Sequence, residues 1–185
     1  VTLGALAANF GRDVERGVSK AVGIIESAAR DGVELLVFPD ATLGGYIGDL
    51  RIPDLDDLPP ALDPDGPEIA TIIAAAGTMT VCIGYTESAG DTRYNAAICV
   101  SGDGVLGSDR KVHQPAGESL AYAPGDSFCA FDTPVGRIGM LIDYDKTFPE
   151  SARTLALDGA HIIAALSAWP ASVTDRAARL PADRQ

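Results

Sequence analysis

The chain has 185 residues, the length of one ordinary globular domain. Hydrophobic residues make up 46% and charged residues 22% of it, which is typical of a folded protein and excludes a disordered, collagen-like or coiled-coil chain. Because 26 Asp and Glu outweigh 14 Lys and Arg, the net charge of −12 should repel phosphate backbones and anionic lipids. We therefore expect no nucleic-acid partner and no membrane association.

The first half of the chain predicts alternating strands and helices. Residues 1–9 are short and apolar, as in a strand, and apolar residues then recur at helical spacing up to a stop at Asp31-Gly32. Residues 35–38 predict a buried parallel strand. The proline-rich, acidic segment 51–67 predicts an irregular surface segment that contributes nothing to the core.

A second helix is predicted over residues 68–77, followed by a buried strand over 80–85. Short strands separated by Gly and Asp turn signals are then predicted over 94–100, 105–111, 128–131 and 137–142.

The end of the chain predicts one helix, one strand and the start of another helix. Thr147 followed by Glu150 predicts a capping box at the start of the first helix, with Pro149 in its first turn. Gly159 should end that helix. An apolar strand is predicted over 161–169, and a helix begins over 174–179. The whole pattern indicates an α/β fold.

The cysteines Cys82, Cys99 and Cys129 lie in apolar stretches without C-x-x-C spacing. We interpret them as buried, reduced thiols that fill the core, which favours a cytoplasmic protein over one with disulfides or a zinc site. His113 and His161 are isolated and are interpreted as structural or exposed. The sequence predicts no bound metal and no cofactor.

Two junctions place a carboxylate directly after a buried strand, at 37–40 and at 139–145. Open α/β sheets bind ligands beyond the carboxyl ends of their strands, so Asp40 and Asp143 are candidate site residues. The second junction passes directly into a helix, an arrangement that can project Asp143 into a pocket. The alternatives are that both are solvated turn residues, or that Asp143 and Asp145 hold a metal ion.

Three segments resemble the nitrilase, or carbon-nitrogen hydrolase, superfamily in residues, order and spacing: GVELLVFPDATLGGY (32–46), DRKVHQPAGES (109–119) and the stretch 136–170. The resemblance implies a single domain over 1–185 with an αββα sandwich. The family domain continues well beyond the match at 167–170, so we expect the domain to be incomplete at its C-terminal end. Family members commonly form homodimers, which implies self-association here.

Enzymes of this family use a cysteine thiolate as nucleophile, a glutamate as general base, a lysine that stabilises the tetrahedral intermediate and a second glutamate that supports the lysine. By resemblance, the lysine is Lys111 and the supporting glutamate is Glu118. The base position is occupied by Asp40 and the nucleophile position by Asp143. Lys111 as an ordinary surface lysine is the alternative to this assignment.

An aspartate in place of the thiol changes the chemistry. Its carboxylate is a weak nucleophile, and its attack on an amide would give an unfavourable mixed anhydride. We therefore expect a carbon-nitrogen hydrolase homologue that acts on a small amide, nitrile or related substrate by altered, non-thiol chemistry through Asp40, Lys111 and Asp143. The alternative is a catalytically silent homologue that binds a ligand or serves as a structural or regulatory subunit.

If Asp40, Glu118 and Asp143 converge on Lys111, three carboxyl groups face one ammonium group. We then expect one carboxyl group to stay protonated, and the pocket to favour a cationic small molecule.

Overall fold

The computed structural model describes residues 1–49 and 51–168. Two sheets and three α-helices make up this part of the chain. The strands are β1 (Leu3–Ala5), β2 (Leu35–Val37), β3 (Thr80–Ala89), β4 (Thr92–Ser101), β5 (Gly104–Arg110), β6 (Phe131–Thr133), β7 (Gly136–Ile142) and β8 (Ile162–Leu166). The helices are α1 (Val14–Arg30), α2 (Pro67–Ala76) and α3 (Pro149–Leu157).

The first sheet has the strand order β1-β2-β3-β4-β5. Strands β1, β2 and β3 run parallel, because α1 and α2 form the crossovers between them, whereas β3, β4 and β5 form an antiparallel meander. The second sheet has the order β6-β7-β8, with β7 and β8 parallel. The carboxyl ends of β1, β2, β7 and β8 are therefore the natural place for a site.

Apolar side chains on both faces of the first sheet explain how the layers stack. Alternate residues of a strand point to opposite faces, so Val81 packs under α1 and α2 while Cys82 faces the second sheet. On the far side of β7, a Cβ atom at Gly139 would lie 2.6 Å from Leu155 of α3, which shows how closely that helix packs there. The layers are thus helix, sheet, sheet and helix, and the expected αββα sandwich is confirmed.

The segment 51–67 is irregular, as predicted, but the prediction that it contributes nothing to the core is wrong. Leu62 is buried in the cluster beneath α1 and α2. Its backbone amide donates to the carbonyl of Thr86 at 2.8 Å, and its carbonyl accepts from the amide of Ser88 at 2.8 Å. Strand-like pairing with β3 therefore pulls one apolar residue of this segment inward.

The predicted capping box at Thr147 is also wrong. Residues 143–147 form a 3-10 helix, and the Thr147 hydroxyl donates to the carbonyl of Tyr144 at 2.7 Å. Phe148 occupies the N-cap of α3 without a side-chain hydrogen bond. Thr147 cannot cap α3 because it already belongs to the preceding turn.

Two of the three cysteines follow the prediction. Cys82 and Cys99 are buried opposite each other on β3 and β4, whereas Cys129 is exposed and is not a core residue. The strand expected over 128–131 lies at Phe131–Thr133 instead, which leaves Cys129 in the preceding loop.

The predicted helix over 174–179, and Trp169 at the end of the last predicted strand, lie outside the described residues. Among the described residues, none of the helices is long and apolar enough to cross a membrane.

Gly84 of β3 fixes how closely the loop after β2 approaches the sheet. A Cβ atom there would lie 2.7 Å from the backbone of Asp40 and Ala41. We expect Gly84→Ala to lower the free energy of unfolding by about 1–3 kcal/mol, because the loop must move away. Urea denaturation measures this change.

Gly23→Ala is the matched control, because Gly23 is exposed on α1 and a Cβ atom there meets nothing within 4 Å. In a helix interior, Ala in place of Gly should stabilise the fold by up to about 1 kcal/mol. Equal effects of the two substitutions would show that the loop does not depend on Gly84.

Candidate functional site

The structure brings the four predicted site residues into one buried cluster. Lys111 follows β5 directly, and its Nζ donates to Glu118 Oε2 at 2.8 Å and to Asp143 Oδ2 at 3.1 Å. Lys111 and Glu118 are 0% exposed, Asp40 is 2% exposed and Asp143 is 8% exposed. The interpretations of Asp40 and Asp143 as solvated turn residues, and of Lys111 as a surface lysine, are therefore wrong.

Two further side chains, those of Tyr46 and Asn95, complete the cluster, and neither was predicted from the sequence as a site residue. The Tyr46 hydroxyl donates to Glu118 Oε1 at 3.0 Å and accepts from Lys111 Nζ at 3.2 Å. The Asn95 amide donates to Asp40 Oδ2 at 3.3 Å and to Glu118 Oε1 at 3.1 Å. Asn95 is the one amide side chain of β4 and directly precedes the apolar run 96–100, and its position there was the available signal.

Asp145 connects the turn that carries Asp143 to the segment that carries Lys111. Its carboxylate accepts from the backbone amides of Val112 at 3.3 Å and His113 at 2.8 Å, and lies 2.9 Å from the His113 ring. The His113 ring also stacks on Phe148, so the prediction of a structural histidine is confirmed.

The hydrogen bonds of Asp145 with the backbone after Lys111 do not favour the alternative of a metal ion between Asp143 and Asp145. Within the ranges 1–49 and 51–168, no group of three acidic, His or Cys side chains is placed to hold a metal ion.

In the described part of the chain, strained non-glycine backbone lies in the loops that build the cluster. Among the described residues, the non-glycine residues with positive φ are Ala41 at 50°, Ala116 at 47° and Asp143 at 45°. Ala41 follows Asp40 and Ala116 precedes Glu118 by two residues. Such conformations cost about 1–3 kcal/mol each and persist only where the surrounding structure enforces them. Here they occur at Asp143 itself and within two residues of Asp40 and Glu118.

A cavity of about 600 Å³ lies beside the cluster. Its walls come from the segments after β1, β2 and β8, which meet because these strands are parallel. Residues 6–9, which were predicted as strand, instead follow β1 and line this cavity together with Phe10. Asp40 is the one charged residue among the described lining residues, and Tyr46 adds a hydroxyl group. The other walls include Leu6, Phe10 and Ile47.

Burial and charge set the protonation of the cluster. Burial raises the pKa of Asp40 to about 7, against the opposing attraction of Lys111, and the nearby carboxylates of Asp143 and Glu118 add to the rise. Burial alone would lower the pKa of Lys111, but its three carboxylate neighbours raise that pKa above the ordinary value. At neutral pH, Lys111 is therefore charged while Asp40 can both accept and donate a proton.

The chain matches a known family over almost its whole length. The family model for carbon-nitrogen hydrolases matches residues 3–180. A nitrilase of Pyrococcus abyssi (strain GE5 / Orsay) is 35% identical over 153 residues, which cover 81% of this chain and 58% of the relative. An (R)-stereoselective amidase of a Pseudomonas species is 30% identical, over 82% of this chain and 54% of the relative. The chain thus spans a little over half the length of these relatives.

Solved structures share the fold. A carbon-nitrogen hydrolase from Helicobacter pylori G27 superposes with a TM-score of 0.76 at 22% identity, over 95% of this chain and 62% of the other. An amidase from Nesterenkonia sp. AN1, in which acrylamide adds to the active site cysteine, gives a TM-score of 0.71 at 17% identity. That match covers 88% of this chain and 66% of the amidase.

The raised pKa of Asp40 predicts a stability that depends on pH. The fold holds the proton of Asp40 up to about pH 7, whereas the unfolded chain releases it near 3.8. This contribution to the free energy of unfolding is complete below about pH 4 and is lost as the pH rises toward 7. In Asp40→Asn, the side chain at position 40 has no proton to release. Between pH 4 and pH 7 we therefore expect the free energy of unfolding of the unmodified chain to fall by up to roughly 4 kcal/mol relative to that of this variant.

Urea denaturation of both proteins near pH 4.5 and near pH 7.5 measures the difference. Asp109→Asn is the matched comparison, because burial also raises the pKa of Asp109 to about 7, with a further rise from Asp145. The unmodified chain should also lose free energy of unfolding relative to Asp109→Asn as the pH rises from 4.5 to 7.5. Parallel pH profiles for the unmodified chain and Asp40→Asn would contradict the assigned protonation of Asp40.

Proposed function

This chain belongs to the carbon-nitrogen hydrolase family, and on that premise we propose that it acts on a small amide, nitrile or related C–N substrate by a reaction that uses no thiol. The observation that carries this proposal is the buried contact of Lys111 with Glu118 and Asp143, beside Asp40 and the cavity. A lysine that is fully buried among carboxylates costs desolvation energy, and such arrangements concentrate at functional sites.

For an amide, the proposed reaction is direct attack by water. The Asp40 carboxylate removes a proton from water, the water oxygen bonds to the substrate carbon, and the electron pair of the C=O bond moves to oxygen. Lys111 stabilises the negative charge that forms there. Asp40 then returns its proton to the nitrogen, and the C–N bond breaks to release ammonia. A carboxyl group with a pKa of about 7 suits both proton transfers at neutral pH.

The identity of residue 143 supports a reaction without a thiol intermediate. By motif resemblance it stands at the nucleophile position, and its Oδ2 lies 3.1 Å from Lys111 Nζ. In the described part of the chain, none of the cysteines Cys82, Cys99 and Cys129 lines the cavity or hydrogen-bonds to the cluster. We propose that Asp143 holds Lys111 in place electrostatically and does not attack the substrate, because a mixed anhydride would be the unfavourable product.

The second candidate function is a catalytically silent homologue that binds a small molecule or serves as a structural or regulatory subunit. One observation favours it. All three Nζ–H groups of Lys111 are engaged, with Glu118, Asp143 and Tyr46. An oxyanion could use Lys111 only if one of these bonds were given up.

We also propose a cytoplasmic location, from the buried thiols Cys82 and Cys99, and self-association as a homodimer or higher oligomer.

A panel of small amides, nitriles and carbamoyl compounds, assayed for ammonia release, separates the two candidates. We expect turnover that rises with pH through about 7, as Asp40 becomes ionised and able to act as a base. Asp40→Asn should lower kcat by roughly 100- to 10,000-fold because the proton acceptor is lost.

Asp109→Asn is the control for this assay, since Asp109 shares the raised pKa of about 7 but has no contact with Lys111 in the described hydrogen bonds. It should keep full turnover. Absence of ammonia from every compound would favour the silent homologue. Unchanged turnover in Asp143→Asn would show that the charge of Asp143 does not position Lys111.

Restoring the family residues should create thiol chemistry. The double variant Asp143→Cys, Asp40→Glu places a thiol next to Lys111, whose charge lowers the pKa of a neighbouring thiol. We expect amide hydrolysis through an intermediate in which the introduced thiol is acylated, visible as a mass increase of the intact protein. Asp143→Ser with Asp40→Glu is the matched variant without a thiol. An equal gain in both variants would argue against a thiol-dependent step.

A further inference from the structure

In the described part of the chain, the cluster has buried hydrogen-bond acceptors without a partner, whereas the donors of its lysine are all used. Asp40 Oδ1 and Asn95 Oδ1 are buried without a partner, and both atoms are acceptors. Lys111 uses its three N–H groups on Glu118, Asp143 and Tyr46. Among the described residues, the unpaired side-chain atoms of the cluster thus offer places for N–H donors and none for an acceptor. An unpaired buried acceptor costs about 1–3 kcal/mol, which a ligand with N–H groups would recover.

Of these two residues, Asp40 is the one that lines the cavity. Asp40 is 2% exposed, yet it lines the cavity of about 600 Å³. Asn95 is not among the described lining residues, and its amide donates to the other carboxylate oxygen of Asp40. A planar group with several N–H donors that enters the cavity would therefore meet Asp40 first.

The charges around the cavity restrict the class of ligand further. Asp40, Glu118 and Asp143 carry up to three negative charges against two positive charges, those of Lys111 and of Lys146, whose Nζ lies 3.8 Å from Asp143 Oδ1. Asp40 is the one charged group among the described cavity residues, and the walls beside it include Leu6, Phe10 and Ile47. A planar cation with N–H donors and a small apolar body complements all of these features.

We propose that the cavity binds an amidinium group, so that the substrate is a small amidine or guanidine compound rather than a neutral amide. This inference rests on the proposed function for its chemistry, because it assigns the substrate class of the same site. The amidinium N–H groups would pair with the Asp40 carboxylate, the charged group of the cavity wall in the described part of the chain.

An amidinium substrate also fits the engaged state of Lys111. Water attacks the amidinium carbon, Asp40 takes one proton from that water, and the C=N electron pair moves to nitrogen. The tetrahedral intermediate is then neutral, so no free donor is needed for an oxyanion. Asp40 returns its proton to the leaving nitrogen, the C–N bond breaks, and the proton of the remaining hydroxyl group passes to the released ammonia. The overall reaction converts an amidinium ion and water into an amide and an ammonium ion.

Binding of acetamidinium chloride, measured by isothermal titration calorimetry, tests the ligand class without turnover. Acetamide is the neutral control of the same shape, and tetramethylammonium chloride is a cation without N–H donors. Near pH 8, acetamidinium should bind at least about tenfold more tightly than either control. Equal affinity for acetamide, or for tetramethylammonium, would overturn the proposal.

The pH dependence identifies the carboxylate involved. Asp40 faces the Lys111 ammonium group, the Glu118 and Asp143 carboxylates and the Asn95 amide. Since a proton on Asp40 competes with the cation, acetamidinium affinity should fall about tenfold from pH 8 to pH 6. Asp40→Asn should lose the preference for acetamidinium over acetamide, whereas Asp109→Asn should keep it. If Asp40→Asn does not fold, the pH profile of the unmodified chain still decides. A flat profile would overturn the proposal.

Ammonia assays separate this proposal from the broader function. Acetamidinium that binds but releases no ammonia would leave the ligand class intact and count against hydrolysis. Ammonia from acetamide, together with undetectable acetamidinium binding, would support the hydrolase and overturn the amidinium inference.

Discussion

The contact between one buried ammonium group and its carboxylates is the constraint on which the site depends. Lys111 is fully buried, and a charge in that position is tolerable only when opposite charges and hydrogen bonds replace its lost hydration. Glu118 and Asp143 supply those charges, and Tyr46 supplies a further acceptor. Asp40 then becomes the surplus carboxyl group, and its raised pKa of about 7 reflects first its burial and then its carboxylate neighbours.

The scaffold maintains this contact at the cost of local strain. Asp143 holds a left-handed backbone conformation at the end of β7, and Ala41 does so beside Asp40. Gly84 allows the Asp40 loop to lie against β3, because any side chain at that position would collide with the loop backbone. Asp145 ties the Asp143 turn to the amides that follow Lys111. Packing of two sheets between helical layers thus enforces the geometry of four ionisable groups.

The same geometry limits the chemistry that is open to the site. No thiol lies among the described cavity residues, and the lysine is already engaged, so the proposed reaction needs a proton acceptor and a substrate with little demand for an oxyanion donor. The family relationship supports the proposal that this chain cleaves a carbon-nitrogen bond. The unpaired oxygen of Asp40, which is the charged residue of the described cavity wall, points from that class to a cationic substrate.

The sequence by itself determined the order of strands and helices, the positions of Asp40, Lys111, Glu118 and Asp143 in recognisable motifs, and the acidic balance of the site. These features are local, since strand periodicity and short motifs are written in neighbouring residues. It did not reveal that Asn95 and Tyr46 belong to the cluster. Nor did it reveal that Leu62 is buried, that Cys129 is exposed, or that Asp145 accepts hydrogen bonds from backbone amides. Only the tertiary structure decided these points, because each depends on contacts between segments that are distant in the chain.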